Sequence, residues 1–189
     1  MALPISAPDK IRYLMLESPI GEPLLQMLYE HDESPVWQYL FSDTPWAPYL
    51  DESPVVVQTT QDSDLYKWVL KKLKANNEVS GLIIETEENL EFVVNWARAR
   101  LTVAFDDVRK GLLRFYDPVI WHRLKPRNIG EEGRVRQVIY WYGSALQGRW
   151  LISQNPEPVT MAGTPVLESG QLKRLNLTCS EPSNYQIAI

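Results

Sequence analysis

The amino-acid sequence predicts an α/β protein in which a mixed sheet is flanked by helices, with a short C-terminal hairpin and an extended tail or small second lobe. Continuous apolar runs of strand length, such as Val55–Thr59 and Gly81–Glu85, alternate with segments whose apolar residues recur at helical spacing. The 189 residues, of which 44% are hydrophobic, suffice for one full core but not for two large domains.

The first predicted unit is a strand followed by a helix. The apolar run Tyr13–Leu16 ends at Ser18-Pro19, where proline removes a backbone donor. Pro23 is suited to the first turn of a helix, and the leucines after it repeat at helical spacing as far as His31-Asp32.

The next segment, from Ser34 to Pro54, is rich in both proline and aromatic residues. Its four prolines exclude long regular elements, so we expect a structured loop with one short strand, Trp37–Phe41. The run Val55–Thr59 that follows is β-branched and continuous, which is typical of a strand covered on both faces.

Two further helices alternate with a strand. Asp62 or Ser63 is expected to cap a helix that runs to Asn76, because Leu65, Trp68, Val69 and Leu73 form one apolar stripe. After the strand Gly81–Glu85, Thr86 is expected to cap a helix whose apolar residues recur from Leu90 to Leu101.

The second half of the chain has shorter predicted elements. Strands are expected at Val103–Phe105 and Leu112–Tyr116, and a short helix at Val119–Leu124. Val138–Trp141 and Trp150–Ile152 predict a hairpin, with a helix through Arg134–Tyr142 as the alternative. We place the main domain at residues 1–154 and a proline-containing tail or minimal second lobe at 155–189.

Motifs for catalysis, metals or cofactors are lacking in the sequence. The single cysteine excludes an internal disulfide, neither His31 nor His122 has a second histidine nearby, and Ser144 lacks the second glycine of a nucleophile elbow. Phosphate-binding glycine motifs are absent as well. We therefore expect a protein that is not an enzyme, with no metal and no cofactor.

Charge and hydropathy bear on the choice of partner and compartment. Residues 1–97 carry 6 basic against 16 acidic side chains, and residues 98–189 carry 13 against 8. We expect the two segments to mix in space, and the pI of about 5.1 argues against nucleic-acid binding. With no apolar run of membrane-spanning length and no signal peptide, the expected location is the cytoplasm, without membrane contact.

Two separated motifs resemble a known family. The first is the segment Leu40-Phe41-Ser42-Asp43-Thr44-Pro45-Trp46-Ala47-Pro48-Tyr49-Leu50, and the second is Arg114-Phe115-Tyr116-Asp117-Pro118. In this order, with alternating strands and helices between them, they resemble the effector adaptors or chaperones of bacterial type VI secretion. The resemblance covers roughly residues 10–150.

The resemblance implies a non-enzymatic protein that binds a toxic effector protein in the cytoplasm and helps to load it onto a secretion spike protein. An immunity protein or another protein-binding module is the alternative, and an enzyme with an unrecognised site is a third. Many relatives carry a long, largely helical second lobe, which the segment 155–189 either replaces in minimal form or exchanges for an arm that orders on the partner.

The second motif suits a strand-to-helix junction. We expect Arg114 to pair with a carboxylate, Phe115 to enter the core and Asp117 to cap the helix that Pro118 opens. The whole motif, with Tyr116, is thus expected to be structural. Protein binding is expected instead at aromatic residues, a type enriched in interfaces. The candidates are Trp37, Trp46, Tyr49, Trp141 and Trp150.

Overall fold

The structure is a computed structural model that describes residues 11–18, 23–75, 78–104, 109–124, 134–154, 167 and 169–176. Its strands are β1 (Ile11–Glu17), β2 (Val36–Tyr39), β3 (Val55–Thr60), β4 (Ser80–Thr86), β5 (Thr102–Ala104), β6 (Lys110–Leu112), β7 (Val135–Tyr142) and β8 (Arg149–Gln154). Its helices are α1 (Leu24–His31), α2 (Asp64–Ala75), α3 (Leu90–Arg98), α4 (Pro118–Leu124) and α5 (Ser169–Asn176), and a 3₁₀ helix spans Ala47–Glu52.

Six strands form one sheet in the order β2-β3-β1-β4-β7-β8, and β5 pairs with β6 in a second sheet. With helices flanking the large sheet, the predicted α/β class is confirmed. All pairings between the described strands are antiparallel, so the expected mixture with parallel pairs is not found. The reason is the position of β1. Strands β3 and β4 run in the same direction, as a crossover through α2 requires, but β1 lies between them and is antiparallel to both.

The central strands of the large sheet are buried on both faces. Tyr13 and Met15 point into a cluster with α3 and α4, whereas Leu14 and Leu16 point into a cluster with α1 and α2. Because successive side chains of a strand point to opposite faces, β1 is buried on both sides from Arg12 to Leu16. This three-layer arrangement explains why the strand sequences are continuous apolar runs.

A close approach between two central strands requires a glycine. Gly81 of β4 lies opposite Leu16 of β1, and a Cβ atom at Gly81 would lie only 2.0 Å from the carbonyl oxygen of Met15. Any side chain there would force the two strands apart, so the pairing of β1 with β4 depends on this residue.

The starts of α2 and α3 each have a side-chain cap. The hydroxyl of Ser63 accepts from the backbone N–H of Tyr66 at 3.0 Å, as predicted for α2. For α3 the prediction was wrong: the cap is Asn89, whose side chain accepts from Phe92 N at 2.9 Å. Thr86 belongs to β4 and its hydroxyl donates to the carbonyl oxygen of Arg134, so strand pairing extends further than expected.

The predicted strand Leu112–Tyr116 is wrong for all but its first residue. Strand β6 ends at Leu112, and two local backbone bonds turn the chain: Phe115 N donates to Leu113 O at 2.8 Å, and Asp117 N donates to Arg114 O at 3.0 Å. These turn bonds lead the chain into α4. They satisfy backbone groups that strand pairing would otherwise have to satisfy.

The hairpin at the end of the main domain is confirmed. Strands β7 and β8 pair from Gln137 opposite Gln154 to Tyr142 opposite Arg149, which excludes the helical alternative for 134–142. Beyond it, the described part of the tail packs on the main core: Leu167 is buried there, and Arg174 of α5 donates to the carbonyl oxygens of Arg123 and Leu124. The other tail residues lie outside the described part of the chain. Within that part, no helix has the length and apolar character needed to cross a membrane.

Candidate binding surfaces

The Arg114–Pro118 motif begins with an ion pair. Arg114 Nη2 lies 2.8 Å from Oε2 of Glu17 at the end of β1, which is the carboxylate partner that the sequence left unnamed. Burial raises the pKa of the Glu17 carboxyl above its ordinary value, although Arg114 lowers it in part. Burial likewise raises the pKa of the Tyr116 hydroxyl, which therefore stays protonated at neutral pH.

The end of the motif starts helix α4. Oδ1 of Asp117 accepts from the backbone N–H of Val119 at 2.7 Å and from that of Ile120 at 3.1 Å. Pro118 is the first helical residue, where its missing N–H costs no intrahelical bond. The Asp117 side chain thus satisfies two of the backbone donors that a helix start leaves unpaired.

The centre of the motif joins an aromatic cluster. Phe115 is 1% exposed, and its ring centroid lies 6.0 Å from that of Trp96 and 6.2 Å from that of Trp121. The Trp121 indole N–H donates to the hydroxyl of Ser153 in β8 at 3.0 Å. Through these contacts the motif ties β1, α3, α4 and β8 together.

A buried polar row crosses the opposite face of the sheet and was not predicted. Arg12 and Glu85 are 1% and 2% exposed, with Nη2 and Oε2 3.7 Å apart. Arg12 also donates to the Tyr66 hydroxyl, and Gln137 donates to Glu85. One signal was present: charges of opposite sign sit at the ends of two apolar runs that became neighbouring strands.

The candidate Trp37 belongs to an aromatic group at the β2 edge of the sheet. Its ring meets that of Tyr39 edge-on at 4.9 Å, and its indole N–H donates to the hydroxyl of Tyr29 at 3.4 Å. Tyr29 is 52% exposed. We call Tyr29, Trp37 and Tyr39 the edge aromatic cluster; of these three, only Trp37 is a predicted binding residue.

The next two candidates lie in the loop between β2 and β3. Trp46 packs on the core and its indole N–H donates to the Thr102 hydroxyl at 3.1 Å, so it anchors the loop. Tyr49, in the 3₁₀ helix, is 54% exposed. Of this pair, Tyr49 offers its ring to a partner.

The last two candidates, Trp141 and Trp150, form a cross-strand pair on the hairpin. Their rings meet edge-on at 5.4 Å, and Lys74 Nζ lies 5.9 Å from the Trp141 ring. The buried indole N–H of Trp141 has no hydrogen-bond partner among the described residues.

The structure does not bring the five candidates into one surface. Trp37 lies on β2 and Trp150 on β8, at opposite edges of a six-stranded sheet. With about 4.8 Å between neighbouring strands, five spacings separate them by about 24 Å. A partner that contacts both groups must span the face that α1 and α2 cover.

Both histidines are engaged in aromatic contacts. His122 stacks on Tyr142 with centroids 4.0 Å apart, and His31 stacks on Trp68 at 4.7 Å. Among the residues described, no group of three or more His, Cys, Asp or Glu side chains could hold a metal ion.

Together these features define a three-layer α/β protein with an antiparallel central sheet, a rigid motif junction and aromatic groups at both sheet edges. The chain belongs to the DUF4123 family, a domain of unknown function, whose sequence profile matches residues 12–132. Searches of curated proteins and of solved structures found no match. The matched range includes β1 to α4 and the motif junction, but not the β7–β8 hairpin.

Proposed function

We propose that the chain is a non-enzymatic adaptor, or chaperone, that binds a type VI secretion effector in the cytoplasm and helps to load it onto the secretion spike protein. The observation that carries this proposal is the DUF4123 match over residues 12–132, which contains both segments that resemble the effector adaptors. The adaptor role comes from that resemblance.

The geometry supports binding rather than chemistry. The intact motif holds strands and helices together through an ion pair, a cap and a buried ring, so its side chains are already engaged within the fold. The exposed aromatic rings of Tyr29 and Tyr49 lie elsewhere, on the β2 side of the sheet and in its loop. Exposed aromatic residues of this kind are suited to protein recognition.

Co-purification and export test the proposal. The tagged chain, expressed in its native host, is expected to co-purify with a toxic effector and a spike protein under mild conditions. Deleting its gene is expected to abolish export of that effector while the toxicity inside the producing cell does not rise. Co-purification that returns neither protein contradicts the adaptor function.

The same deletion separates the adaptor from an immunity protein. An immunity protein neutralises its toxin, so its loss would raise toxicity in the producing cell and leave export intact. Turnover of lipid, peptide or nucleotide substrates by the purified chain would contradict the non-enzymatic proposal.

A further inference from the structure

Strand β2 is an unpaired edge of the large sheet. It pairs with β3 on one side, and within the described part of the chain no strand lies on its other side. The bond from Leu40 N to Pro54 O, at 2.9 Å, shows that the backbone groups of Leu40 point toward β3. Along an antiparallel ladder, residues whose backbone groups point toward the neighbouring strand alternate with residues whose backbone groups point away from it. The backbone groups of Trp37 and Tyr39 therefore point outward, away from β3.

One of these outward groups is already used. Arg98 of α3 donates through Nη2 to the Tyr39 carbonyl oxygen at 3.3 Å and through Nε to the Leu40 carbonyl oxygen at 3.2 Å. Pro54 has no N–H to offer Leu40, so the guanidinium takes that place. Among the described residues, the N–H and C=O of Trp37 and the N–H of Tyr39 have no backbone hydrogen-bond partner, so they can pair with an incoming strand.

The edge lacks the charged side chains that usually protect such strands. Natural edge strands commonly carry lysine or an inward charge that prevents pairing with another chain. Here the solvent-exposed side chains of β2 are those of Val36, which is 55% exposed, and Gln38, and neither is charged. The edge aromatic cluster lies on the other face of the same strand and offers a surface for alternate side chains of a partner.

The charge around this edge is mainly acidic, and the guanidinium of Arg98 at β2 is already paired with Asp43. From Tyr13 to Tyr66 the sequence has ten Asp or Glu residues and no Lys or Arg. Exposed carboxylates precede β2 at Glu30 and Glu33 and follow it at Asp51 and Glu52. Among the described residues none of these four forms an ion pair, so their charge is available to a partner.

We propose that the effector is held by strand addition: an extended segment of the effector, with apolar side chains at alternate positions and flanking Lys or Arg, pairs with the outer edge of β2. Main-chain bonds to Trp37 and Tyr39 supply affinity, the edge aromatic cluster selects the apolar side chains, and the carboxylates select the basic flanks. This inference rests on the proposed adaptor function and assigns it a surface and a ligand chemistry.

A matched pair of variants tests the edge. Gln38→Lys places a cation on β2, where it opposes both strand pairing and a basic segment, and Gln154→Lys makes the same change on β8 at the opposite edge. Calorimetry with the effector that co-purifies with the tagged chain, isolated separately, measures the dissociation constant. We expect Gln38→Lys to weaken binding about tenfold or more, and Gln154→Lys to change it less than about twofold. Thermal unfolding of both variants verifies that they fold.

Amide hydrogen exchange supplies a readout independent of side-chain charge. The N–H groups of Trp37 and Tyr39 are expected to exchange slowly only in the complex, and the protected effector segment is expected to be extended and basic. Equal affinity loss in both variants, no loss in Gln38→Lys, or unprotected Trp37 and Tyr39 in the complex overturns strand addition at β2. A protected effector segment of net negative charge also overturns it. Failure of the unmodified chain to bind the effector overturns the adaptor function itself, and this inference with it.

Discussion

Replacing Phe115 by alanine tests whether the family motif is a structural junction. The side chain is 1% exposed, and the rings of Trp96, Trp121 and Tyr116 surround it at centroid distances of 6.0, 6.2 and 5.7 Å. Removing a buried phenylalanine costs about 3–5 kcal/mol, and the value rises when neighbours cannot fill the cavity. Trp121 is held by its bond to Ser153 at 3.0 Å, so we expect the upper half of that range.

The measurement is equilibrium unfolding in urea, with circular dichroism and tryptophan fluorescence as coincident probes. Leu146→Ala is the control, because Leu146 is 96% exposed at the hairpin turn and its removal should change stability by less than about 0.5 kcal/mol. A cost below about 1 kcal/mol for Phe115→Ala would refute the packing argument. A stable Phe115→Ala protein that no longer binds the effector would show instead that the motif is an interface.

Three further predictions concern single side chains. Asp117→Ala should lower the free energy of unfolding by about 1 kcal/mol, whereas Asp117→Asn, which can still cap α4, should lose less; urea unfolding measures both. Burial raises the pKa of Glu17 in the folded protein, so the contribution of this residue to stability is complete below its ordinary pKa of 4.5 and is lost as the pH rises through the raised pKa. The stability of the unmodified chain relative to Glu17→Gln should therefore fall above pH 4.5. A stability difference that stays constant with pH would contradict this. Trp121→Phe removes a donor that bonds Ser153, and Trp141→Phe removes a buried donor without a partner, so unfolding should show a smaller loss for Trp141→Phe; equal losses would exclude the hydrogen-bond explanation.

The main strands and helices were predictable because their signals are local. The apolar runs of β1, β3 and β4 and the stripe of α2 are determined by burial, and the structure places each close to its predicted range. The antiparallel pairing of β1 with β3 and β4 was not predictable from these patterns. Alternating strands and helices fit any order of strands, and it is the insertion of β1 between β3 and β4 that makes both of its pairings antiparallel.

The contacts of the motif side chains were predictable because each is made either between residues close in the sequence or with a type of partner that such a residue usually needs. Asp117 caps the helix that starts one residue later, and an arginine at such a junction needs some carboxylate. That carboxylate belongs to Glu17, which is 97 residues away in the sequence, so it can be identified only once the strand order is known. The pairing of Arg12 with Glu85 and the contact of Tyr29 with Trp37 were not predictable for the same reason, since both depend on how the elements are arranged in space.

The charge asymmetry of the sequence has a specific spatial result. Four ion pairs join an arginine of the basic second segment to a carboxylate of the acidic first one: Arg98–Asp43, Arg114–Glu17, Arg134–Glu88 and Arg136–Glu87. The two segments therefore mix, as expected, but the mixing is uneven. The pairs lie at α3, at the motif junction and beside β4, while the described carboxylates on either side of β2 gain no such partner apart from Asp43. Because the remaining charge is concentrated where the sheet has an open edge, electrostatic attraction and strand pairing would favour the same basic, extended ligand, and its association rate should fall as salt is added.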